Sequence, residues 1–242
     1  MTSKKKSGRL WLIPITIGST DPGAYQPSNN LKQLEVIKHF VVENARTARQ
    51  YIKSVLPKAD ISQLEIIEID KHDGYRYPRE EVMAILERGE DVGLMSEAGC
   101  PAVADPGHLV VRDCHRAGIQ VVPLVGPSSI LLSLMASGFN GQSFAFHGYL
   151  PFDKQERRKK LQELQRRAEQ GETQIFIEAP YRNDKLIREL ANSLPKSIEL
   201  CVAIDLTTPS EEIHRHPLSE WVAILDKGKS WHKRPAIFLI GI

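Results

Sequence analysis

Three short runs in this chain join glycine and proline to small polar residues. They are Leu12-Ile13-Pro14-Ile15-Thr16-Ile17-Gly18, Ser96-Glu97-Ala98-Gly99-Cys100-Pro101 followed by Ala104-Asp105-Pro106-Gly107, and Gly126-Pro127-Ser128-Ser129. Each lies at the end of an apolar run that reads as a strand. In open α/β sheets, ligands bind beyond the carboxyl ends of strands, where the loops diverge. Glycine there admits a ligand close to the backbone, and proline stiffens the loop. One such turn would be an ordinary connection; three in one half of the chain point to a pocket. That pocket does not read as a phosphate cradle, because no G-x-G-x-x-G opens a strand–helix unit and no G-x-x-x-x-G-K-[ST] occurs. Neither G-x-S-x-G nor H-E-x-x-H is found. His214-x-His216 lies in a polar segment without a third ligand and reads as a surface pair, so no metal is expected.

Charge narrows the partner. Across 242 residues, 32 Lys and Arg against 30 Asp and Glu leave a net charge of only +2. The basic residues are bunched, however: residues 4–9 carry +4, residues 154–167 carry +5 and residues 227–234 carry +4, so the remainder carries −11. Such asymmetry suits a polyanionic partner. Within 154–167, Arg157-Arg158-Lys159-Lys160 precede Arg166-Arg167, with Leu161 and Leu164 on one apolar face. Arg157, Arg158, Lys159 and Lys160 are the candidate substrate-binding cations, and Trp231 in the last cluster is a candidate base-stacking ring. A solvated helix surface would carry the same charges, and so would the binding face for a small acidic metabolite.

The elements that must hold these residues alternate. Apolar runs at 10–17, 64–69, 92–96, 120–125, 143–147, 173–178, 198–205 and 236–242 read as strands, with a weaker one at 40–43. Amphipathic segments at 31–40, 45–56, 79–88, 106–117, 129–136, 155–170, 182–194 and 218–226 read as helices. Runs such as Val92-Gly93-Leu94-Met95 are apolar on both faces, as in parallel strands covered by helices. Asp105-Pro106 reads as an N-cap followed by proline at the first helical position, and Gly89 and Gly118 as C-terminal caps. The fold class is α/β, with mixed, mainly parallel sheets. Val125-Gly126-Pro127-Ser128 near the midpoint is the best boundary, giving domains 1–125 and 126–242. The cysteines Cys100, Cys114 and Cys201 are too few and too scattered for a disulfide framework. No stretch of about 18 apolar residues exists, and no small-x-small cleavage site closes the short apolar run near the N-terminus. A soluble cytoplasmic protein without a membrane partner is expected, with residues 1–8 as a mobile tail.

The run from Val92 to Gly138 resembles the central segment of the tetrapyrrole-methylase-like superfamily of S-adenosylmethionine-dependent methyltransferases. Within it, the ribosomal small-subunit RNA 2′-O-ribose methyltransferase I family is most similar: its S-D-A-G-x-P-x-x-x-D-P-G and P-x-x-G-P-S patterns match here. Leu12–Gly18 resembles that family's opening T-P-I-G strand, Phe146-His147-Gly148-Tyr149-Leu150-Pro151 its F-x-G-F-L-P, and Glu178-Ala179-Pro180-Tyr181-Arg182 its E-S-P-H-R. The resemblance spans nearly the whole chain. It implies two α/β domains with the cofactor in a cleft between them, a homodimer, and S-adenosylmethionine lined by Pro14, Glu97, Ala98, Gly99, Val103, Ala104 and Ser128. It further implies methyl transfer to ribosomal RNA in the small subunit, at a ribose 2′-oxygen.

Four segments depart from that family. G-N-L-x-D-x-T is here Gly18-Ser19-Thr20-Asp21-Pro22-Gly23; E-D-T-R is Glu43-Asn44-Ala45-Arg46; the S-D-A-G acid is Glu97; and E-L-T-K is Asp205-Leu206-Thr207-Thr208. A ribose hydroxyl is a weak nucleophile that a positioned base assists. Glu43 is the candidate base and Arg46 the candidate for orienting phosphate or substrate. Glu43 could equally be an acid stabilised by a helix N-terminus, and Asp205 reads as a turn residue. Two alternatives stay open: a methylase of a tetrapyrrole or other small acidic metabolite, and a non-catalytic S-adenosylmethionine-binding paralogue.

Overall fold

The computed structural model describes residues 6–18, 21, 25–70 and 73–242. Lys4 and Lys5 of the first basic cluster, most of the expected N-terminal tail, and Ser19, Thr20, Pro22 and Gly23 lie outside the described residues. The chain separates into two compact units, 1–128 and 129–242.

The first unit is built on five parallel strands, β1 (Leu10–Leu12), β2 (His39–Val42), β3 (Glu65–Glu68), β4 (Val92–Met95) and β5 (Val121–Pro123), in the order β3-β2-β4-β1-β5. Helices α1 (Ser28–Val36), α2 (Ala45–Val55), α3 (Arg79–Glu87) and α4 (His108–Arg116) connect them. Alternation along each strand feeds two cores. Leu10, Val41, Val92 and Leu94 pack with residues of α3 and α4, while Trp11, Phe40, Val42 and Met95 pack with residues of α1 and α2. Burial on both faces accounts for the continuous apolar runs. Gly93 is required inside β4 because a Cβ there would stand 2.8 Å from both Ile13 and Phe40.

The second unit is a mixed sheet of β6 (Phe144–Tyr149), β7 (Thr173–Ile177), β8 (Glu199–Ile204), β9 (Glu212–Pro217) and β10 (Ala236–Gly241), in the order β6-β7-β10-β8-β9. Only β6 and β7 run parallel; the other three pairings are antiparallel. One face packs on α6 (Lys154–Glu169), α7 (Asn183–Ser193) and α8 (Leu218–Asp226), with Trp221, Trp231, Phe176 and Phe238 in the core. The other face carries α5 (Ser129–Ser137) over Leu239, Ile175 and Cys201. Among the described residues, no helix is long and apolar enough to cross a membrane.

Three expectations need correction. The first strand stops at Leu12 rather than residue 17, since Pro14 has no N–H to continue the ladder. The helix expected from Pro106 starts at His108 with Gly107 as N-cap at φ +119, so Asp105 does not cap it. A Cβ on Gly107 would stand 2.8 Å from Leu94, and Pro106 is held by the Ala102 N–H instead. Strand β9 was not expected; its sequence, Glu-Ile-His-Arg-His-Pro, is polar because it forms the edge of the sheet. Gly89 and Gly118 do follow α3 and α4 in left-handed conformation, at φ +92 and +69.

Candidate active site

The three Gly/Pro runs singled out in the sequence follow β1, β4 and β5, which are neighbours in the order β4-β1-β5. Parallel direction brings their carboxyl ends to one edge, and the backbone joins the loops: the Ile15 N–H donates to the Gly99 carbonyl at 2.9 Å. Gly126 lies against Pro14 so closely that a Cβ would be 2.2 Å from the proline Cβ. The Cys100 thiol donates to the Pro127 carbonyl at 3.4 Å, and burial pushes its pKa up. A buried pair of amides, which sequence reasoning missed, spans the same edge. Gln26 Nε2 donates to the Pro14 carbonyl at 2.8 Å, and Asn30 Nδ2 reaches both Gln26 Oε1 (3.0 Å) and the Val125 carbonyl (2.6 Å). Asparagine and glutamine beside a proline look like loop filler in sequence; burial gives them their role.

The loop after β4 holds strained backbone. Ala102 and Ala104 stand at φ +64 and +62 with Gly99 at +66. Left-handed alanine costs about 1–3 kcal/mol and persists where surrounding structure fixes it, often at a ligand site. Val103 between them is 49% exposed, and Val125 after β5 is 76% exposed. Pro14, Glu97, Ala98, Gly99, Val103 and Ala104 thus share this edge with Gly126 and, two residues on, Ser128. Neither 96–107 nor 124–128 contains a lysine or arginine. Exposed valines, backbone polar groups and a carboxylate suit a positively charged sulfonium nucleoside, which needs no phosphate clamp.

Glu43 follows β2, the neighbour of β4, and its Oε1 accepts from the Glu97 N–H at 3.3 Å. This bond joins the candidate base to the loop just described. The helix cap is its neighbour: Asn44 Oδ1 accepts from Arg46 N–H at 2.9 Å and Thr47 N–H at 3.1 Å. An amide caps as well as the acid of E-D-T-R would, so that departure preserves the start of α2. Arg46 is exposed in the first turn, without a side-chain partner among the described residues.

The second unit overturns part of the substrate reading. Arg157 is not a surface cation. It is 5% exposed, its Nε bonds to both oxygens of Glu189 at 2.8 and 2.9 Å, and its Nη2 pairs with buried Glu178 at 3.0 Å. Burial opposes its charge, and the bonds to Glu189 and Glu178 raise its pKa nonetheless. The side chain lies on the buried face of α6 that Leu161, Leu164 and Ala168 continue. Lys160 pairs with Glu163 at 3.0 Å, whereas Arg158 and Lys159 are exposed. Trp231 cannot stack on a base because it is fully buried, 5.5 Å from Trp221. His214 and His216 share hydrogen bonds with Glu212 (2.9 Å) and Glu220 (3.2 Å). Asp205, at φ +48, shapes the turn after β8: its carbonyl accepts from Thr208 N–H at 3.1 Å and Thr208 Oγ1 at 2.8 Å. Its carboxylate binds Arg234 at 2.7 Å. Thr208 therefore closes a turn in the place of the family's lysine.

Residues 9–222 match the family model described as Tetrapyrrole (Corrin/Porphyrin) Methylases. The chain belongs to this family. It is an enzyme that transfers a methyl group, with S-adenosylmethionine as donor. It is 36% identical over 224 residues to the ribosomal RNA small subunit methyltransferase I of Vibrio cholerae, covering 91% of this chain and 73% of that one. The protein of the same name from Thermotoga maritima is 32% identical, over 92% of this chain and 94% of its own. The fold is that of the uroporphyrin-III C-methyltransferase of Thermus thermophilus, solved with S-adenosyl homocysteine: TM-score 0.55, 20% identity, and 97% coverage of each chain.

Proposed function

We propose that this methyltransferase acts on a ribose 2′-hydroxyl of ribosomal RNA in the small subunit. The observation that carries the reading is the 36% identity, along 91% of the chain, to a relative named for that RNA. S-adenosylmethionine would supply an activated methyl group on its sulfonium sulfur, and the loops after β1, β4 and β5 would hold it. Pro14, Glu97, Ala98, Gly99, Val103, Ala104 and Ser128 line its site. Glu43 would take the proton from the ribose hydroxyl whose oxygen accepts the methyl group. Arg46, three residues on and exposed, holds the adjacent phosphate. Arg158 and Lys159 contribute phosphate contacts that fix the RNA without reading its sequence. The enzyme works in the cytoplasm, and the exposed apolar pair Leu131 (52%) and Met135 (78%) on α5 supports a homodimer.

The test is transfer of a labelled methyl group from S-adenosylmethionine to small subunits taken from cells lacking this protein. We expect label on one nucleotide, at its ribose oxygen. Glu43→Gln, which can still accept the Glu97 N–H, lowers the rate about 10²–10⁴-fold while cofactor affinity is kept. Label appearing on an acidic metabolite in the absence of RNA, or on no substrate at all, overturns the reading.

A further inference from the structure

The mixed sheet gathers five segments at one edge. Strand β6 ends there at Tyr149, paired with Ile177 of β7; β8 ends at Ile204, opposite Ala236 of β10 and Glu212 of β9. Large aromatic rings stand exposed at that edge: Tyr149 (59%) at the end of β6, Phe152 (72%) in the turn after β6 and Tyr181 (60%) in the turn after β7. Exposed rings in adjacent turns are uncommon on a surface that meets only water.

The turns that carry Phe152 and Tyr181 are fastened to the rest of the unit. Buried Arg157 ties the two turns together, its Nη1 donating to the Pro151 carbonyl at 3.3 Å and its Nη2 to Glu178 at 3.0 Å. Glu178 in turn accepts from the Ala179 N–H at 2.9 Å. The Lys233 N–H donates to the Pro180 carbonyl at 2.9 Å, which fixes the Tyr181 turn to the last basic cluster. The Arg182 guanidinium lies 5.2 Å over the Phe152 ring. Exposed cations flank the rings along the chain: Lys154, Arg158 and Lys159 on the first turns of α6, Lys185 on α7, and Lys233.

Flat apolar faces, a guanidinium plane and flanking ammonium groups are what unpaired nucleobases and their phosphates require. We propose that Phe152, Tyr181 and Arg182, with Tyr149 beside them, form a stacking platform that grips unpaired bases of the substrate RNA. The proposal rests on the ribosomal RNA reading and adds to it how the strand is held. Trp231, the ring that charge patterning suggested, is buried in the core; the exposed rings are Tyr149, Phe152 and Tyr181.

Binding measured without methyl transfer separates the two ideas. The probes are a fluorescein-labelled ten-nucleotide single-stranded RNA of mixed sequence and the duplex of the same length, followed by anisotropy with the full chain. Phe152→Ala and Tyr181→Ala should each weaken single-strand binding about 5- to 150-fold, the equivalent of one lost base stack, with duplex binding within about twofold because its phosphate contacts persist. Tyr181→Phe should bind as the parent does, and Phe152→Leu should lose what Phe152→Ala loses. The platform is overturned if the parent does not bind the single strand, if the alanine variants bind it within twofold of the parent, if single strand and duplex weaken alike, or if Tyr181→Phe also loses binding. It is overturned as well if the alanine variants change the sedimenting mass, which would make the rings an interface between copies of this chain. Absence of ribosomal methyl transfer with intact ring-dependent binding would overturn the reaction and leave the platform standing.

Discussion

The two units hold their loops by different means. In the first, all five strands run the same way, so the loops after β2, β4, β1 and β5 emerge together and need few side chains to bring them into one site. Their fastenings are backbone bonds, close approaches of small residues and the neutral amides Gln26 and Asn30. In the second unit the edge mixes strands that end with strands that begin, and charged side chains fasten the turns. Arg157 joins Glu178 and Glu189, and Arg234 joins Asp205 and Glu212. Both edges store left-handed backbone, at Ala102 and Ala104 in one and at Asp205, Thr207 and Lys233 in the other. Parallel topology therefore lets the loops after β1, β4 and β5 meet without ion pairs among the bonds described, while the mixed sheet fastens its turns with ions.

That contrast can be broken most forcefully at Arg157. Arg157→Met strands the buried Glu178 carboxylate, and a loss of about 3–5 kcal/mol in urea unfolding is expected. Adding Glu178→Gln to Arg157→Met should recover part of it, and no recovery would show that the pair does not act as one. A smaller effect is expected at Glu212, whose carboxyl Lys229, then Arg234 and His214, hold well below its ordinary value of 4.5. A depressed carboxylate stabilises the fold above its unfolded pKa, and that contribution fades as pH falls through the folded value. Glu212→Gln should therefore cost about 1.5–3 kcal/mol at pH 7. The gap between variant and parent should narrow steadily below about pH 4.5; a gap independent of pH would refute the ion-pair account. In the first unit the sensitive change is steric. Gly126→Ala sets a methyl against Pro14 and should cost about 1–3 kcal/mol, together with weaker S-adenosylmethionine binding by calorimetry. Unchanged cofactor affinity there would mean that the β1 and β5 loops are not coupled as described.

Much of the first unit was legible in the sequence because a parallel sheet leaves a plain signature: apolar runs closed by Gly/Pro turns. Glu43 could be picked out from the same reading, although its partner could not, since Glu97 lies 54 positions away and meets it only through the β2–β4 pairing. The polar edge strand β9 escaped notice because charged, histidine-bearing segments carry no apolar period. Arg157 and Trp231 depart from the roles their residue types suggest for one reason. A residue's type tells what it can bind, and burial decides whether it is free to do so. Arg157 and Arg158 are adjacent and chemically identical, yet a 100° turn of the helix sends one into the core and the other to solvent.

The sequence by itself determined the α/β class, the family through the motifs from Leu12 to Arg182, and the Gly/Pro loops that close β1, β4 and β5. Those features depend on local order: periodicity, turn residues and motif spacing. Tertiary structure alone decided which cations face outward, which rings can stack, and which carboxylate reaches the loop after β4. Those depend on strand order and on which way each side chain points, and neither is written within any short stretch of the chain.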